Sequence, residues 1–236
     1  MESDVTDSIG FYKFWAWLDT NRKQVTYGIT IVVGVTLIVW FFVWRSSEKE
    51  IAASEALSSL ALPMLTGAGK TEGTDGYLKL VAEYPNSAAA ARALLQAAGA
   101  AFAEGKYPEA KGLFERFRGQ YRDSAYIGEA LLGIAACFDA QGQTNEAMTA
   151  YRDLVDHHPG ETVIPQAKFA LARLSEAQNK PEQAKTYFEE VARNDPYGSL
   201  GSEAGMRLEE LKIKYPQLTP VVPAATNPPQ FRIEKK

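Results

Sequence analysis

A repeat of 37 residues limits what this chain can fold into more than any other feature of its sequence. Ala110, Ala147 and Ala184 are 37 residues apart, and each is followed four residues later by an aromatic residue. The aromatic residues are Phe114, Tyr151 and Phe188. A fixed period of this length is typical of helical repeat proteins, in which each unit buries its apolar face only against its neighbours. The sequence therefore predicts a stack of similar helical units.

Each unit has the pattern of two antiparallel helices joined by a short turn. In the central unit, residues 129–159, apolar residues recur at helical spacing before and after Gly142. Ala135 and Ala147 are expected where the two helices cross, because a larger side chain there would hold the backbones apart. The side chains predicted to pack the repeats together are Ala98, Ala110, Phe114, Ala135, Ala147, Tyr151, Ala172, Ala184 and Phe188.

The central unit resembles the tetratricopeptide repeat (TPR). The residues at that motif's signature positions are Leu131, Ile134, Ala135, Phe138, Gly142, Ala147, Tyr151, Leu154 and Pro159. The unit before it has Arg122 where proline is expected, and the unit after it has Asn179 in place of the turn glycine. The usual TPR period is about 34 residues, so the three extra residues imply a longer link between repeats. The resemblance implies an all-α fold, a TPR-like α-solenoid of helix-turn-helix repeats with a 37-residue period.

Residues 25–44 form an uncharged apolar run near the N-terminus. As a helix it would be about 30 Å long, which matches the hydrocarbon core of a bilayer. Tyr27, Trp40 and Trp44 are predicted to anchor its ends at the membrane interfaces. A cleavable signal peptide is the competing interpretation. The long charged lead-in, the length of the run and the lack of a small-x-small cleavage pattern disfavour it.

The remaining segments are assigned around this transmembrane helix. Residues 1–24 are predicted to be a cytoplasmic or interfacial amphipathic segment, because residues 8–18 are rich in aromatic side chains; a disordered lead-in is the alternative. Residues 45–90 are predicted to be membrane-proximal helices with a degenerate first repeat. Residues 91–215 hold the TPR-like repeats and a capping helix, with Met206, Leu208, Leu211 and Ile213 as the cap's apolar residues. Residues 216–236 are predicted to be a proline-rich disordered tail, in which a docking motif remains an open alternative.

The positively charged residues beside the apolar run favour one orientation by a small margin. Lys13, Arg22 and Lys23 precede the run, whereas Arg45 and Lys49 follow it. This bias predicts a single-pass protein with the N-terminus in the cytoplasm and the repeats in the opposite compartment, which for the bacterial inner membrane of a Gram-negative cell is the periplasm. The layout resembles the YfgM family, ancillary to the SecYEG translocon. The resemblance implies contact with translocon subunits and periplasmic chaperones, and a holding role toward newly translocated chains.

The sequence contains no recognisable catalytic or ligand-binding motif. Gly69, Lys70 and Thr71 match the end of a phosphate-binding loop, but Met64 occupies the position of its first glycine. His157 and His158 are adjacent, so on a helix they point in different directions and cannot grip one metal. Cys137, the single cysteine, is predicted to be a buried, inert thiol. We therefore predict no enzymatic activity, no cofactor and no metal, and the net charge of −4 argues against nucleic acid.

Function is then expected to reside in a groove lined by the first helix of each unit. The residues predicted to line it are Arg92, Leu95, Phe102, Glu129, Leu132, Asp139, Gln166, Phe169, Arg173 and Glu176. Their mixture of apolar and charged side chains suits other proteins or an extended peptide segment, and a second copy of the chain is a further candidate. The alternative for each residue is packing against a neighbouring helix. A different functional class also stays open: an adaptor or structural assembly protein for cell-division or outer-membrane biogenesis machinery.

Overall fold

The repeat folds into a continuous row of helices. The computed structural model describes residues 17, 18, 20–66 and 73–219, and the regular structure in these ranges is entirely helical. The helices are α1 (Arg22–Thr66), α2 (Gly73–Glu83), α3 (Ala88–Ala103), α4 (Tyr107–Gln120), α5 (Ile127–Ala140), α6 (Thr144–His157), α7 (Ile164–Ala177), α8 (Pro181–Asn194) and α9 (Ser199–Lys214). A short 3₁₀-helix follows at Pro216–Leu218. The predicted all-α solenoid fold is confirmed.

The helix bounds follow the sequence period. The second helices of the three units, α4, α6 and α8, begin at Tyr107, Thr144 and Pro181, which are 37 residues apart. Their last residues are separated by the same interval. The first helices α3, α5 and α7 likewise end 37 residues apart. The segments around Ala110, Ala147 and Ala184 are therefore equivalent helical hairpins.

The turn inside each unit has one repeated conformation. Gly105, Gly142 and Asn179 all have positive φ angles, of 76°, 72° and 55°. The next residue in each turn donates its backbone N–H to a carbonyl five residues earlier, as Gln143 does to Phe138 at 2.9 Å. This is the pattern of a left-handed helix C-cap. Asparagine can replace glycine there because it tolerates the left-handed region better than most residues do.

Each helix packs against the next along the chain, and the core divides into three clusters. The first joins α2 to α5 around Leu94 and Phe117, and the second joins α5 to α7 around Met148 and Leu154. The third joins α7 to α9 around Phe188. The nine residues predicted to pack the repeats, from Ala98 to Phe188, are all buried. Small residues allow the backbones to approach, and the aromatic rings fill the space between them.

The C-terminal end of α1 joins the repeat array. Ala56, Leu57 and Leu60 of α1 pack against the first cluster. The carboxylate of Glu50 accepts hydrogen bonds from the backbone N–H groups of Ala88 and Ala89, at 2.9 and 3.0 Å. These N–H groups lie at the start of α3 and have no partner within that helix. A side chain of α1 therefore caps the first helix of the array.

The N-terminal part of α1 is exposed and apolar. Arg22–Phe41 is long and apolar enough to cross a membrane, by length and composition, and none of this segment is buried. It overlaps the predicted span, 25–44, and continues without a break into the part of α1 that contacts the repeats. Apart from Trp17 and Leu18, the aromatic segment 8–18 lies outside the described residues.

The other end of the array is closed by α9 and the 3₁₀-helix. Leu208 and Leu211 are buried, but Met206 and Ile213 are exposed on the opposite side of α9. Leu218 is also buried in the third cluster, and Lys185 donates a hydrogen bond to its carbonyl oxygen at 3.0 Å. Residues 216–218, which the sequence places in the tail, are thus part of the fold. The rest of the proline-rich tail, 220–236, lies outside the described residues.

Candidate interaction surface

The ten predicted groove residues lie on three successive first helices. Arg92, Gln166 and Arg173 are exposed and the other seven are half-buried. We call the surface that they form on α3, α5 and α7 the first-helix surface. Because the helices repeat every 37 residues, equivalent positions form rows across it, such as Arg92, Glu129 and Gln166.

A pocket of about 190 Å³ lies between α3 and α5. It brings together three of the predicted residues, Phe102, Glu129 and Leu132. Its remaining lining consists of residues that the sequence analysis did not assign to the groove: Gly99, Phe114, Gly133 and Ala136. We call this feature the α3–α5 pocket. All of its lining side chains are apolar or absent, except that of Glu129.

Two glycines create the pocket. The ring of Phe114, on α4, lies so close to Gly133 that a Cβ atom at this position would overlap it. The ring therefore occupies the place of a side chain on α5 and forms part of the pocket wall. A Cβ atom on Gly99 would meet no atom within 4 Å, so the absent side chain leaves open space.

Glu129 places an unpartnered acceptor in the wall of the pocket. Its Oε2 atom is buried and has no hydrogen-bond partner. Glu129 lies in the first turn of α5, where the helix dipole stabilises a negative charge. Burial without a partner nevertheless costs free energy, because the oxygen has lost the hydrogen bonds that water would make to it.

The two other predicted carboxylates of the first-helix surface are paired. Asp139 accepts a hydrogen bond from Arg173, which joins α5 to α7. Glu176 accepts one from Lys214 of α9 at 2.9 Å. This bond and the charge of Glu176 raise the pKa of the Lys214 ammonium above its ordinary value. These pairs connect neighbouring units, so three of the predicted residues contribute to contacts within the array.

Some predicted apolar residues also belong to the core. The ring of Phe169 contacts that of Phe188 edge to face, with centroids 5.4 Å apart. Leu95 packs against the first cluster, and Leu132 packs against the second. The pocket is consequently the part of the first-helix surface where apolar groups face open space beside a buried, unpartnered carboxylate oxygen.

The structure also shows the environments of the predicted membrane-interface aromatic residues and of the single cysteine. Tyr27, Trp40 and Trp44 are exposed on α1, and the rings of Trp40 and Trp44 stack with centroids 6.2 Å apart. Cys137 is buried, and burial raises the pKa of its thiol to about 11. A thiol with such a pKa stays protonated and unreactive near neutral pH. Among the described residues, no group of three His, Cys, Asp or Glu side chains is placed to hold a metal ion.

Comparison with protein families identifies the repeats. The model of a tetratricopeptide repeat-like domain matches residues 15–152, more than half of the chain. The model of a tetratricopeptide repeat matches residues 166–196. The first match includes both the apolar segment of α1 and the α3–α5 pocket. A search of curated proteins gives no significant match.

Solved structures share the fold at low sequence identity. A tetratricopeptide repeat protein from Parabacteroides merdae aligns with a TM-score of 0.53 and 14% identity, over 70% of this chain and 62% of that one. BtubC (BKLC) from P. vanneervenii aligns with a TM-score of 0.50 and 14% identity, over 69% of this chain and 66% of that one. The Yersinia enterocolitica type III secretion translocator chaperone SycD gives a TM-score of 0.47 and 21% identity, over 57% and 92%.

Proposed function

Because the chain belongs to the tetratricopeptide repeat-like family, we propose that it is a membrane-anchored scaffold that binds other proteins through its first-helix surface and catalyses no reaction. The observation that carries this proposal is the α3–α5 pocket, where apolar side chains face open space beside a buried, unpartnered carboxylate oxygen on a regular helical array. Repeat arrays of this kind use extended surfaces of successive helices to bind partners.

The proposed anchor is the apolar part of α1. None of Arg22–Phe41 is buried, and an apolar helix surface of this length is expected to lie in a lipid or protein environment. We place the N-terminus in the cytoplasm and the repeats on the other side of the bacterial inner membrane. The segment order stays as proposed from the sequence, with residues 45–90 linking the anchor to the repeats. Trp40 and Trp44 then mark the end of the span nearest the array.

For the cellular role, we propose an accessory of the Sec translocon and the periplasmic chaperone network. The support is the layout that resembles the YfgM family: a short leading segment, one span and an acidic repeat domain. The alternative is an adaptor or assembly protein for cell-division or outer-membrane machinery. Both roles use the same surface, so partner identity distinguishes them.

Site-specific photocrosslinking tests the role of the surface. A photoreactive phenylalanine analogue at Leu132, beside the pocket, is expected to capture partner proteins in cells. The matched control carries it at Arg152, an exposed position on the second helix of the same unit. A third position, Trp44, reports on neighbours at the membrane. Adducts to translocon subunits favour the Sec role, and adducts to other envelope machinery favour the adaptor. Equal capture at Leu132 and Arg152 would contradict binding through the first-helix surface.

Protease protection in spheroplasts tests the orientation. Repeats outside the cytoplasm are expected to be degraded by added protease, leaving a membrane-embedded fragment that contains Arg22–Phe41. A repeat domain that is cleaved only after the membrane has been broken would place it in the cytoplasm. Release of the whole chain by alkaline carbonate would argue against the membrane anchor.

A further inference from the structure

We propose that the α3–α5 pocket holds one apolar side chain of a partner polypeptide, and that Glu129 pairs with a lysine or arginine next to that side chain. The inference rests on the proposed protein-binding function and adds the chemistry by which a partner is recognised. It concerns one pocket between two repeats rather than the whole first-helix surface.

The size and lining of the pocket indicate an apolar anchor. An engineered apolar cavity of about 150 Å³ holds a benzene molecule, and the α3–α5 pocket has a volume of about 190 Å³. It is therefore large enough for one leucine, methionine or phenylalanine side chain. Phe102, Phe114 and Leu132 surround this space with carbon atoms. Burial of one such side chain in a preformed pocket is a common source of binding energy at protein interfaces.

The state of Glu129 indicates a cation beside the anchor. Asp139 and Glu176, on the same surface, already accept hydrogen bonds from Arg173 and Lys214. The buried Oε2 atom of Glu129 has no partner. Glu129 as a whole is only half-buried, so its side chain can turn outward toward a partner. An ammonium or guanidinium group would then form a charge-assisted hydrogen bond to this oxygen, which is stronger than a bond from a neutral donor.

The chain itself does not supply that cation from the equivalent position of the preceding repeat. Arg92 precedes Glu129 by 37 residues, and its guanidinium carbon lies 5.6 Å from the centroid of the Tyr126 ring. This is the geometry of a cation–π interaction. The net charge of −4 also favours the approach of a basic segment over an acidic one.

Peptide selection on the full-length chain in lipid nanodiscs tests the proposal. A random dodecapeptide phage library is the probe. We expect selected peptides to share a leucine, isoleucine, methionine or phenylalanine within two positions of a lysine or arginine. Affinities of the synthetic peptides are then measured by fluorescence anisotropy, for the wild type and for two pairs of variants.

The first pair tests the pocket. Gly99→Leu fills it, and the fold is expected to accept this change because a Cβ atom there meets nothing within 4 Å. Gly112→Leu is the matched control, since Gly112 is also helical and open but lies on α4 outside the pocket. We expect Gly99→Leu to weaken binding about tenfold or more and Gly112→Leu to leave it unchanged. Circular dichroism verifies that both variants are folded.

The second pair tests the charge. Glu129→Gln is expected to weaken binding of the basic peptides about tenfold, and to have little effect on analogues whose basic residue is replaced by norleucine. Glu146→Gln is the matched control, because Glu146 is the acidic residue in the first turn of α6 and is exposed. The Glu146→Gln variant is expected to bind both sets of peptides with the same affinity as the wild type.

Four outcomes would overturn the assignment. Undiminished binding by Gly99→Leu would exclude the pocket, and selection of acidic or purely polar peptides would exclude the proposed chemistry. Peptide binding that appears only after removal of residues 220–236 would identify the chain's own tail as the occupant. A dimer that Gly99→Leu dissociates would identify a second copy. In each case, photocrosslinking at Leu132 tests the proposed protein-binding function independently of this pocket assignment.

Discussion

At Gly201 two successive helices touch through their backbones. Gly201 lies near the start of α9, and a Cβ atom there would overlap the carbonyl oxygen of Asp195, which directly follows α8. A backbone atom cannot move aside as a flexible side chain can. Only glycine fits at position 201, because the backbone of Asp195 lies so close to it. At Gly205, four residues later in the same helix, an added Cβ atom would have no atom within 4 Å.

The two glycines predict opposite effects of the same substitution. Gly201→Ala is expected to destabilise the protein by about 1–3 kcal/mol, because the added methyl group forces α8 and α9 apart. Gly205→Ala is expected to stabilise it by about 0.4–1 kcal/mol, since alanine restricts the unfolded chain without a clash. Urea unfolding followed by circular dichroism measures both. Equal effects of the two substitutions would contradict the close contact.

Because the Cys137 thiol is buried, we predict that it makes the protein less stable at alkaline pH. Burial raises the pKa of its thiol from 9.0 to about 11, so the folded state favours the neutral thiol. The thiol ionises at a lower pH in the unfolded chain than in the folded protein. The stability that the buried neutral thiol contributes is therefore fully present below about pH 9 and is lost as the pH rises toward about 11. We expect the wild type to lose more stability than Cys137→Ala between about pH 8 and about pH 10. Tyr151, whose pKa burial also raises, is present in both proteins, and the charge of Cys137 is the smallest cause of that shift, so most of the Tyr151 contribution appears in both pH profiles. Parallel pH profiles would contradict the prediction.

At the scale of elements, the joint between α1 and α3 determines how the anchor meets the array. α1 spans 45 residues, about 67 Å at the usual helical rise. Its C-terminal part packs on the first cluster, and Glu50 caps α3 from outside that helix. Ser87 caps the same helix by accepting a hydrogen bond from Ala90. The start of α3 thus depends on a side chain 38 residues away.

Removal of the Glu50 cap is expected to loosen this joint. Glu50→Ala leaves the N–H groups of Ala88 and Ala89 without their acceptor, at a cost of about 1 kcal/mol. Hydrogen exchange of the full-length protein in nanodiscs is expected to accelerate in the first turn of α3, with α7 and α8 unchanged. Glu48→Ala is the control, since Glu48 is exposed on the same helix. Similar exchange in the two variants would show that the cap does not hold the joint.

At the scale of the whole molecule, the array is a row rather than a globule. Each helix contacts its sequence neighbours and few others, and the three core clusters follow one another along the chain. In such an arrangement stability is approximately a sum of unit and interface contributions. Damage to one end is therefore expected to remain at that end.

Substitution of a buried phenylalanine at either end of the array tests whether the damage stays local. Phe188 lies in the third cluster and Phe117 in the first, and both are fully buried. Each change to alanine is expected to cost about 3–5 kcal/mol locally. Hydrogen exchange should accelerate in α7 to α9 for Phe188→Ala, and in α2 to α5 for Phe117→Ala. If either substitution accelerates exchange equally in all helices, the array unfolds as one cooperative unit.

Much of the fold could be predicted from the sequence because it is periodic and local. Helical spacing and the turn residues at Gly105 and Gly142 identify the hairpins, and even Asn179 occupies the same left-handed position. The single 37-residue step then places equivalent residues on equivalent faces. The exposed Met206 and Ile213 of α9 show where pattern alone is insufficient, because apolar residues two positions from Leu208 and Leu211 lie on the other side of the helix.

The sequence alone thus determined the helical units, their repetition and the apolar segment, since each depends on residues close together in the chain. Only the tertiary structure decided which residues of the first-helix surface are paired with other side chains of the array and which line unfilled space. Arg173 and Lys214 neutralise two of its carboxylates from neighbouring units. The α3–α5 pocket needs Gly99, Gly133 and Phe114 from three different helices. No local pattern records these relations, because they depend on how the helices pack in space.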